Sequence, residues 1–226
     1  MEHNWKLSPS DFAFLWEECR RCFYLKVRES FYRPRPVMPK IFNQIDLKMK
    51  EYYTGKRTES FAPGIPPGVV SHDEHWVQSL PLSIPGHEGT CFIRGKFDTI
   101  VRFDDGGYGV IDFKTSHRRS EHIPLYSRQL HAYAVALENS APGDLHLEPV
   151  SRLGLLVFEP DLYTQGKTGK VGFAGAMEWL EIPRDDDAFR LFLGEVMTVL
   201  ESGEPPSPGP RCPWCRYREE SRRRGV

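Results

Sequence analysis

Two strand-like segments joined by a short turn constrain the fold of this chain more than any other feature. Residues 90–103 and 108–115 alternate apolar and polar side chains, and the turn Asp104–Gly107 lies between them. An Asp-Asp-Gly-Gly turn between two alternating segments is a strong signal for a β-hairpin. The two strands carry Asp98 and Asp112, so the hairpin can bring both carboxylates to one end of a sheet.

The second strand adds a lysine to these carboxylates. Lys114 follows Asp112 by two residues, which places both side chains on the same face of the strand. Carboxylates offer the hard oxygen ligands that Mg²⁺ or Mn²⁺ prefers, and an ammonium group can orient a water or neutralise charge on a phosphate. The carbonyl of Phe113 is a further candidate ligand. The pattern predicts a phosphodiesterase site with Asp98, Asp112 and Phe113 at the metal, although Asp-x-Lys alone is also common on surface edge strands.

The rest of the chain supplies elements that can surround this hairpin. Pro124 begins a helix pattern that carries Gln129 and Tyr133 one turn apart on one face. The remaining patterns predict helices at 8–26, 40–53 and 185–201, and strands within 69–84, at 153–158 and at 171–182. This order predicts an α/β fold, in which helices flank a mixed central sheet.

The whole chain is predicted to form a single domain over residues 1–226. We divide it into a helical N-terminal part at 8–55, a catalytic core at 69–201 and a basic, cysteine-containing tail at 211–226. In the second predicted helix, the residues on one side are Ile41, Ile45, Lys48, Met49 and Tyr52.

Composition indicates a soluble protein without a strong overall charge. Apolar residues make up 39% and charged residues 27% of the 226 residues, as in ordinary globular domains. The first residues lack an apolar signal-peptide core, and no apolar run approaches the roughly 18 residues of a membrane helix. We therefore expect a cytoplasmic protein that does not bind membranes. The net charge of −1 does not indicate nucleic-acid binding, so any such contact depends on local arginine groups at 20–21, 33–35, 118–119 and 216–224.

Four of the five cysteines form two C-x-x-C pairs near opposite ends of the chain: Cys19 with Cys22, and Cys212 with Cys215. In a cytosolic protein this spacing favours metal binding over disulfides. Four thiolates suit either a 4Fe-4S cluster or a tetrahedral Zn²⁺ ion. A redox dithiol at 212–215 and unliganded cysteines are the alternatives. Cys91, which lies alone in an apolar strand, is predicted to be a small buried hydrophobic residue.

Three short motifs occur in a fixed order along the chain: Gly95-x-x-Asp98, Asp112-x-Lys114 and Gln129-x-x-x-Tyr133. This order resembles the PD-(D/E)XK nuclease superfamily and, within it, the RecB-like exonuclease branch. The resemblance implies a restriction-endonuclease-like fold and metal-dependent DNA hydrolysis in recombination, repair or defence. It also implies that Asp98 and Asp112 bind the metal, that Lys114 assists the attacking water, and that Gln129 and Tyr133 contact DNA or support the site.

The segment 19–25 resembles the N-terminal segment of iron–sulfur RecB-like nucleases, including the AddB type and CRISPR-associated exonucleases. This resemblance favours a 4Fe-4S cluster over zinc, with the four cysteines joining the N- and C-terminal ends of the chain. The relatives carry one N-terminal and three C-terminal cysteines, whereas Cys22 would supply the fourth thiolate here. Relatives often also carry a metal-binding histidine on an early helix. Residues 40–53 contain none, and Asn43 and Asp46 are the nearest chemical substitutes.

The expected partner is DNA, either single-stranded or at duplex ends. Arginine groups would contact its backbone, and the aromatic side chains of Tyr126, Tyr133 and Trp214 would stack on its bases. Because the chain lacks helicase motifs, unwinding would require a helicase or another recombination or defence partner. The alternatives to a nuclease are a catalytically silent nucleic-acid-binding module of the same fold and a redox or sensing protein.

Overall fold

The computed structural model describes residues 3–34, 39–115 and 122–225. Its strands are β1 (Asn4–Leu7), β2 (Gly68–Gln78), β3 (Leu82–Ser83), β4 (Thr90–Phe103), β5 (Tyr108–Thr115), β6 (Val150–Gln165) and β7 (Val171–Ile182). They form one sheet in the order β1-β4-β5-β6-β7, with β2 and β3 also paired to β4. The β1–β4 and β5–β6 pairs are parallel and the others are antiparallel. The predicted mixed central sheet is confirmed.

Helices flank this sheet, as predicted. They are α1 (Trp16–Glu18), α2 (Arg20–Glu29), α3 (Lys40–Tyr53), α4 (Ile123–Glu138), α5 (Asp186–Glu201) and α6 (Pro213–Arg224). A π-helical turn at Asp11–Leu15 precedes α1, and a 3₁₀ turn at Thr58–Ser60 precedes β2. Across the described ranges, no helix is both long enough and apolar enough to span a lipid bilayer.

The hairpin has the predicted bounds in both strands. Its turn closes with a hydrogen bond from the Phe103 N–H to the Gly107 carbonyl at 2.8 Å. In the resulting register Thr99 lies opposite Ile111. Asp98 lies one residue before Thr99 and Asp112 one residue after Ile111, so local turn chemistry brings the two carboxylates together.

Two apolar clusters form the core on the two faces of the sheet. The first contains Val110 and the buried residues of α4 and α5, and the second contains Ile111. This division follows from the alternation of side chains along a strand. Met49 and Tyr53 of α3 pack against the second cluster. The sheet is thus covered on both faces, and its polar site lies where β2, β4 and β5 run side by side.

The N-terminal region differs from the single helix predicted at 8–26. Strand β1 precedes it and pairs with β4, and the helix is interrupted at Cys19, whose φ of −169° is extended. Ser8 does not cap with its side chain; its carbonyl accepts the Asp11 N–H at 3.0 Å. The interruption falls at a cysteine whose sulfur faces the C-terminal cysteines, so a long-range contact outweighs the helical periodicity.

Helix α3 has its predicted bounds. Of the residues placed on one side of it, Ile41 and Tyr52 are 54% and 62% exposed, whereas Lys50 is buried, because the helix turns a polar face towards β2 and β4. The basic tail contains a helix that was not predicted, since residues 213–224 form α6, where Cys215 is buried against the N-terminal cysteines.

Candidate active site

Three carboxylates form a row across three neighbouring strands. The pairs that flank Glu74 on β2 and Asp98 on β4 are in register, so these two residues lie opposite each other. On the other side of β4, Thr99 pairs with Ile111; Asp98 directly precedes Thr99 and Asp112 directly follows Ile111, so the two carboxylates lie opposite each other in the antiparallel pair. Of this row, the hairpin motif predicts Asp98 and Asp112, and Glu74 was not predicted.

Asp112 is a buried carboxylate whose two oxygens contact different side chains. It is 5% exposed, and its Oδ1 accepts a hydrogen bond from Gln129 Nε2 at 3.2 Å. Its Oδ2 forms an ion pair with Lys114 Nζ. Burial raises the pKa of Asp112 to about 7, the Lys114 ammonium opposes this shift, and the charge of Asp98 adds to it. A buried carboxylate oxygen of this kind fits a divalent cation, which would compensate its charge.

Asp98 is held on both of its oxygens. Oδ1 accepts a hydrogen bond from Lys50 Nζ at 2.8 Å, and Oδ2 accepts the Phe113 N–H at 3.3 Å. The ring of Phe113 stacks on Tyr53 at a centroid distance of 5.8 Å, in the second apolar cluster. The Phe113 side chain therefore serves packing, while its carbonyl oxygen stays a predicted metal ligand.

Lys114 lies between a carboxylate and an aromatic ring. Its Nζ pairs with Asp112 and lies 4.7 Å from the centroid of the Tyr126 ring. Burial disfavours the charged form, but the Asp112 carboxylate outweighs burial and raises the pKa of Lys114 above its usual value. The side chain therefore holds its ammonium beside the Oδ2 atom of Asp112.

Gln129 and Tyr133 support the hairpin from α4. The Gln129 amide holds Asp112, and the Tyr133 hydroxyl donates to the Lys96 carbonyl of β4 at 2.7 Å. Tyr133 is 4% exposed, so its ring cannot stack on DNA as expected from the sequence. Of the two roles that the resemblance implies for this pair, the geometry favours support of the site.

Gly95 in the Gly-x-x-Asp motif allows this close packing of α4 on β4. A Cβ atom at Gly95 would lie 3.0 Å from Tyr133 Cε1 and 2.8 Å from Pro9 Cδ. Contacts this short force a neighbouring group to move. The motif glycine is therefore explained by the approach of the Tyr133 ring, which connects the first and third sequence motifs in space.

Lys50, like Glu74, is a residue of this site that sequence reasoning missed. It is 5% exposed, and its Nζ contacts Asp46 at 2.7 Å, Asp98 at 2.8 Å and Glu74 at 2.9 Å. Asp46 and Asn43 were the candidate substitutes for the early-helix histidine. Asp46 is linked to the row of carboxylates through its contact with Lys50, whereas Asn43 is exposed. The one available signal was the i,i+4 spacing of Asp46 and Lys50, which is usual on solvated helix faces.

The four predicted cysteines come together in a second site. All four are buried, and their sulfur atoms lie within 4.8 Å of one another. The Sγ–Sγ distances are 3.7 Å for Cys19–Cys215 and for Cys22–Cys212, and 3.6 Å for Cys22–Cys215. The N- and C-terminal regions are therefore joined at a four-cysteine cluster, as predicted.

The surroundings of this cluster are suited to thiolates. The Gly209 N–H donates to Cys19 Sγ at 3.2 Å, and Arg33 Nη2 donates to Cys212 Sγ at 3.4 Å. A Cβ at Gly209 would lie 2.3 Å from the Glu18 carbonyl oxygen, so the close approach requires glycine. Burial raises the pKa of Cys22, which means that a cation is needed to stabilise its thiolate.

The sulfur spacing is compatible with a single bound metal ion. A tetrahedral zinc ion with Zn–S bonds of 2.3 Å places its sulfurs roughly 3.8 Å apart. Three Sγ–Sγ distances in the cluster are 3.6 Å or 3.7 Å, and all four sulfurs lie within 4.8 Å of one another.

Other residues outside these two sites have the following surroundings. Cys91 is fully buried, as predicted, and burial raises the pKa of its thiol to about 12. His131 points away from the carboxylates, since its Nε2 accepts the Asp185 N–H at 2.8 Å. Tyr126 and Trp214 are half-buried. Arg35 and the arginines at 118–119 lie outside the described residues.

A mixed sheet that carries paired carboxylates and a lysine on a central hairpin is typical of divalent-metal phosphodiesterases. Residues 66–219 match the family model of the PD-(D/E)XK nuclease superfamily, and the chain belongs to this superfamily. It also aligns with the crystal structure of SSO0001 at 15% identity and a TM-score of 0.48, over 87% of this chain and 77% of that chain. No curated protein matches the chain.

Proposed function

We propose that the protein is a divalent-metal-dependent nuclease that hydrolyses phosphodiester bonds of DNA. The observation that carries this proposal is the convergence of Asp98, Asp112 and Lys114 at one place on the sheet, where the buried Asp112 carboxylate is ion-paired with Lys114. A domain of the superfamily that had lost catalysis would have no need for a buried carboxylate and lysine held in this way.

Each side chain has a role that follows from its contacts. Asp98, Asp112 and the Phe113 carbonyl would hold Mg²⁺ or Mn²⁺, which when bound polarises a phosphate and acidifies a water. The ammonium of Lys114 beside Asp112 orients the attacking water and stabilises negative charge on the phosphate. Gln129 fixes the orientation of Asp112 through its amide. Tyr133 fixes the β4 backbone two residues before Asp98.

DNA is the proposed substrate, and exonuclease action is proposed from the motif order that resembles the RecB-like branch. Exposed arginines of α6 and the Arg20–Arg21 pair supply contacts to the DNA backbone. The half-buried rings of Tyr126 and Trp214 are the candidates for base stacking. Recombination, repair or defence is the proposed setting, with a helicase or a similar partner providing unwound strands.

Cleavage of labelled DNA tests the proposal. The substrates are linear single-stranded, linear double-stranded and covalently closed circular DNA, each with Mg²⁺ or Mn²⁺. We expect the linear substrates to be cut and the circle to stay intact. Asp112→Asn and Lys114→Met should each lower the rate by about 100-fold or more, since each removes a charge used in the transition state. Asp161→Asn and Lys170→Met are matched controls, because both residues are exposed on the β6–β7 hairpin.

The outcomes separate the alternatives. DNA binding without cleavage by the wild type would identify a catalytically silent binding module. Equal cleavage by the wild type, Asp112→Asn and Lys114→Met would contradict the assigned site. Cleavage of the closed circle would contradict exonuclease action but leave the nuclease proposal standing.

The four cysteines hold one structural zinc ion in this proposal, which departs from the cluster favoured by the sequence resemblance. The support is the sulfur spacing of 3.6 Å to 3.7 Å. Anaerobically purified protein should be colourless and contain one zinc per chain by elemental analysis. An absorbance band near 400 nm with four irons per chain would overturn the zinc assignment. Cys91→Ala, which removes a buried cysteine outside the site, should keep the zinc content unchanged.

A further inference from the structure

A lysine ammonium lies inside the acidic cluster of the candidate active site. Lys50 reaches from α3, is 5% exposed, and contacts Asp46, Glu74 and Asp98 at 2.7 Å, 2.9 Å and 2.8 Å. Lysine is almost never buried unless it is paired. Here all three donors of the ammonium are used by three carboxylates, each from a different structural element.

The arrangement of the strands explains why a cation is needed at this position. Glu74 and Asp98 lie opposite each other on β2 and β4, and like charges opposite each other destabilise a sheet. Glu74 also has a φ of +20°, which is uncommon for a residue other than glycine. The ammonium of Lys50 bridges the two carboxylates and compensates their repulsion.

The contacts of Lys50 fix its charge. Burial disfavours the ammonium, but the charge of Asp98 and the hydrogen bonds to Asp46, Asp98 and Glu74 outweigh burial and raise the pKa of Lys50. The three carboxylates around the Lys50 ammonium therefore compensate its charge.

The formal charge of the site limits the number of divalent ions that it can hold. Its acidic members are Asp46, Glu74, Asp98 and Asp112, and its lysines are Lys50, Lys96 and Lys114. The lysines leave one net negative charge. One divalent ion suits this balance, whereas a second would give the site a large positive charge in a partly buried position.

We infer that Lys50 is the resident cation of this acidic cluster and occupies the place of a second divalent ion, so that only the Asp112 side of the row is open to metal. The inference rests on the proposed nuclease function. It assigns Lys50 as a positioning residue, which holds Asp98 through one oxygen and neutralises Glu74 and Asp46. The three oxygens converge on the ammonium at distances slightly longer than the 2.3–2.6 Å of Ca²⁺–oxygen bonds. A neutral side chain at position 50 would therefore leave three carboxylates that can bind a divalent ion.

Counting bound Mn²⁺ tests this inference without any measurement of cleavage. The zinc-loaded protein is titrated with Mn²⁺ without DNA, and free Mn²⁺ is followed by its paramagnetic resonance signal. We expect Lys50→Met to bind one more Mn²⁺ ion per chain than the wild type. Lys50→Gln should give the same result and keeps a hydrogen-bond donor for the carboxylates. Lys50→Arg, which preserves the charge, should bind as many ions as the wild type.

Lys96→Met is the matched control for charge. Lys96 contacts Glu74 from a side chain that is 41% exposed, so its loss changes the net charge equally but leaves Lys50 in place. It should bind as many ions as the wild type. An equal count for the wild type, Lys50→Met and Lys50→Gln, with melting curves that show all three folded, would overturn the inference. A count of two ions in the wild type would overturn it as well.

The same titration keeps the two proposals apart. A wild type that binds no Mn²⁺, with one ion gained in Lys50→Met, would contradict the proposed nuclease metal site while supporting the role of Lys50. A different result would support the nuclease metal site and contradict the role of Lys50: the wild type binds one ion, Asp112→Asn loses it, and Lys50→Met gains none.

Discussion

If the four cysteines hold the zinc ion proposed above, its removal should strongly destabilise the folded protein. The site links Cys22 to Cys212, which are 190 residues apart in the chain. If the metal acts as a cross-link, closing a loop of this length restricts the unfolded chain by about 5 kcal/mol in the chain-entropy treatment. Metal binding by the cysteines of the unfolded chain reduces this difference. We expect a loss of about 3 to 5 kcal/mol, a large part of the roughly 5–15 kcal/mol typical of folded domains.

Urea unfolding with and without a zinc chelator measures this loss. At a slope of roughly 2.5 kcal/mol per M, the midpoint should fall by about 1 to 2 M when the metal is removed. Cys215→Ser should already have the lower midpoint and should respond little to the chelator. Cys91→Ala should respond as the wild type does, because Cys91 is buried but lies outside the cluster.

Two results would refute the reasoning. One is a wild-type midpoint that does not change although elemental analysis shows that the metal has been removed. The other is a full chelator response in Cys215→Ser, which would mean that the metal stabilises the protein from another place. Either result would show that the cysteine cluster does not restrict the chain as its geometry implies.

Three further predictions concern the support of the hairpin and of α5. Gly95→Ala should cost about 1–3 kcal/mol of stability by thermal melting, because its Cβ would press on the Tyr133 ring and on Pro9. Tyr133→Phe should cost about 1 kcal/mol in urea unfolding, because the Lys96 carbonyl loses its donor; an unchanged midpoint would argue against that bond. Asp185→Ala should cost about 1 kcal/mol, since the Asp185 side chain accepts the Ala188 N–H at the start of α5, and Asp185→Asn should restore most of this loss.

The parts of the fold that local chemistry determines were predicted well. The hairpin strands, β7 and the bounds of α3 agree with the sequence patterns. Turn residues and side-chain periodicity act over a few residues, so they can be recognised in a sequence. The clustering of the four cysteines was also predicted, because C-x-x-C pairs limit the chemistry that they can perform.

The parts that were missed depend on long-range contacts. Strand β1 is only four residues long and is stabilised by pairing with β4, about 86 residues further along the chain. Helix α6 is so polar that its own pattern gives little sign of burial, yet Cys215 anchors it to the N-terminal region. The sequence around Lys50 is typical of a solvent-exposed helix position, and its burial depends on how α3 is oriented against β2 and β4.

The distance along the chain between the two cysteine pairs has a consequence for synthesis in the cell. At roughly 5–20 residues per second, a ribosome needs about 10 to 40 s to add the 190 residues between Cys22 and Cys212. During this time the first pair can offer a metal two sulfurs at most. The site can therefore be completed only after strands β1 to β7 have been synthesised.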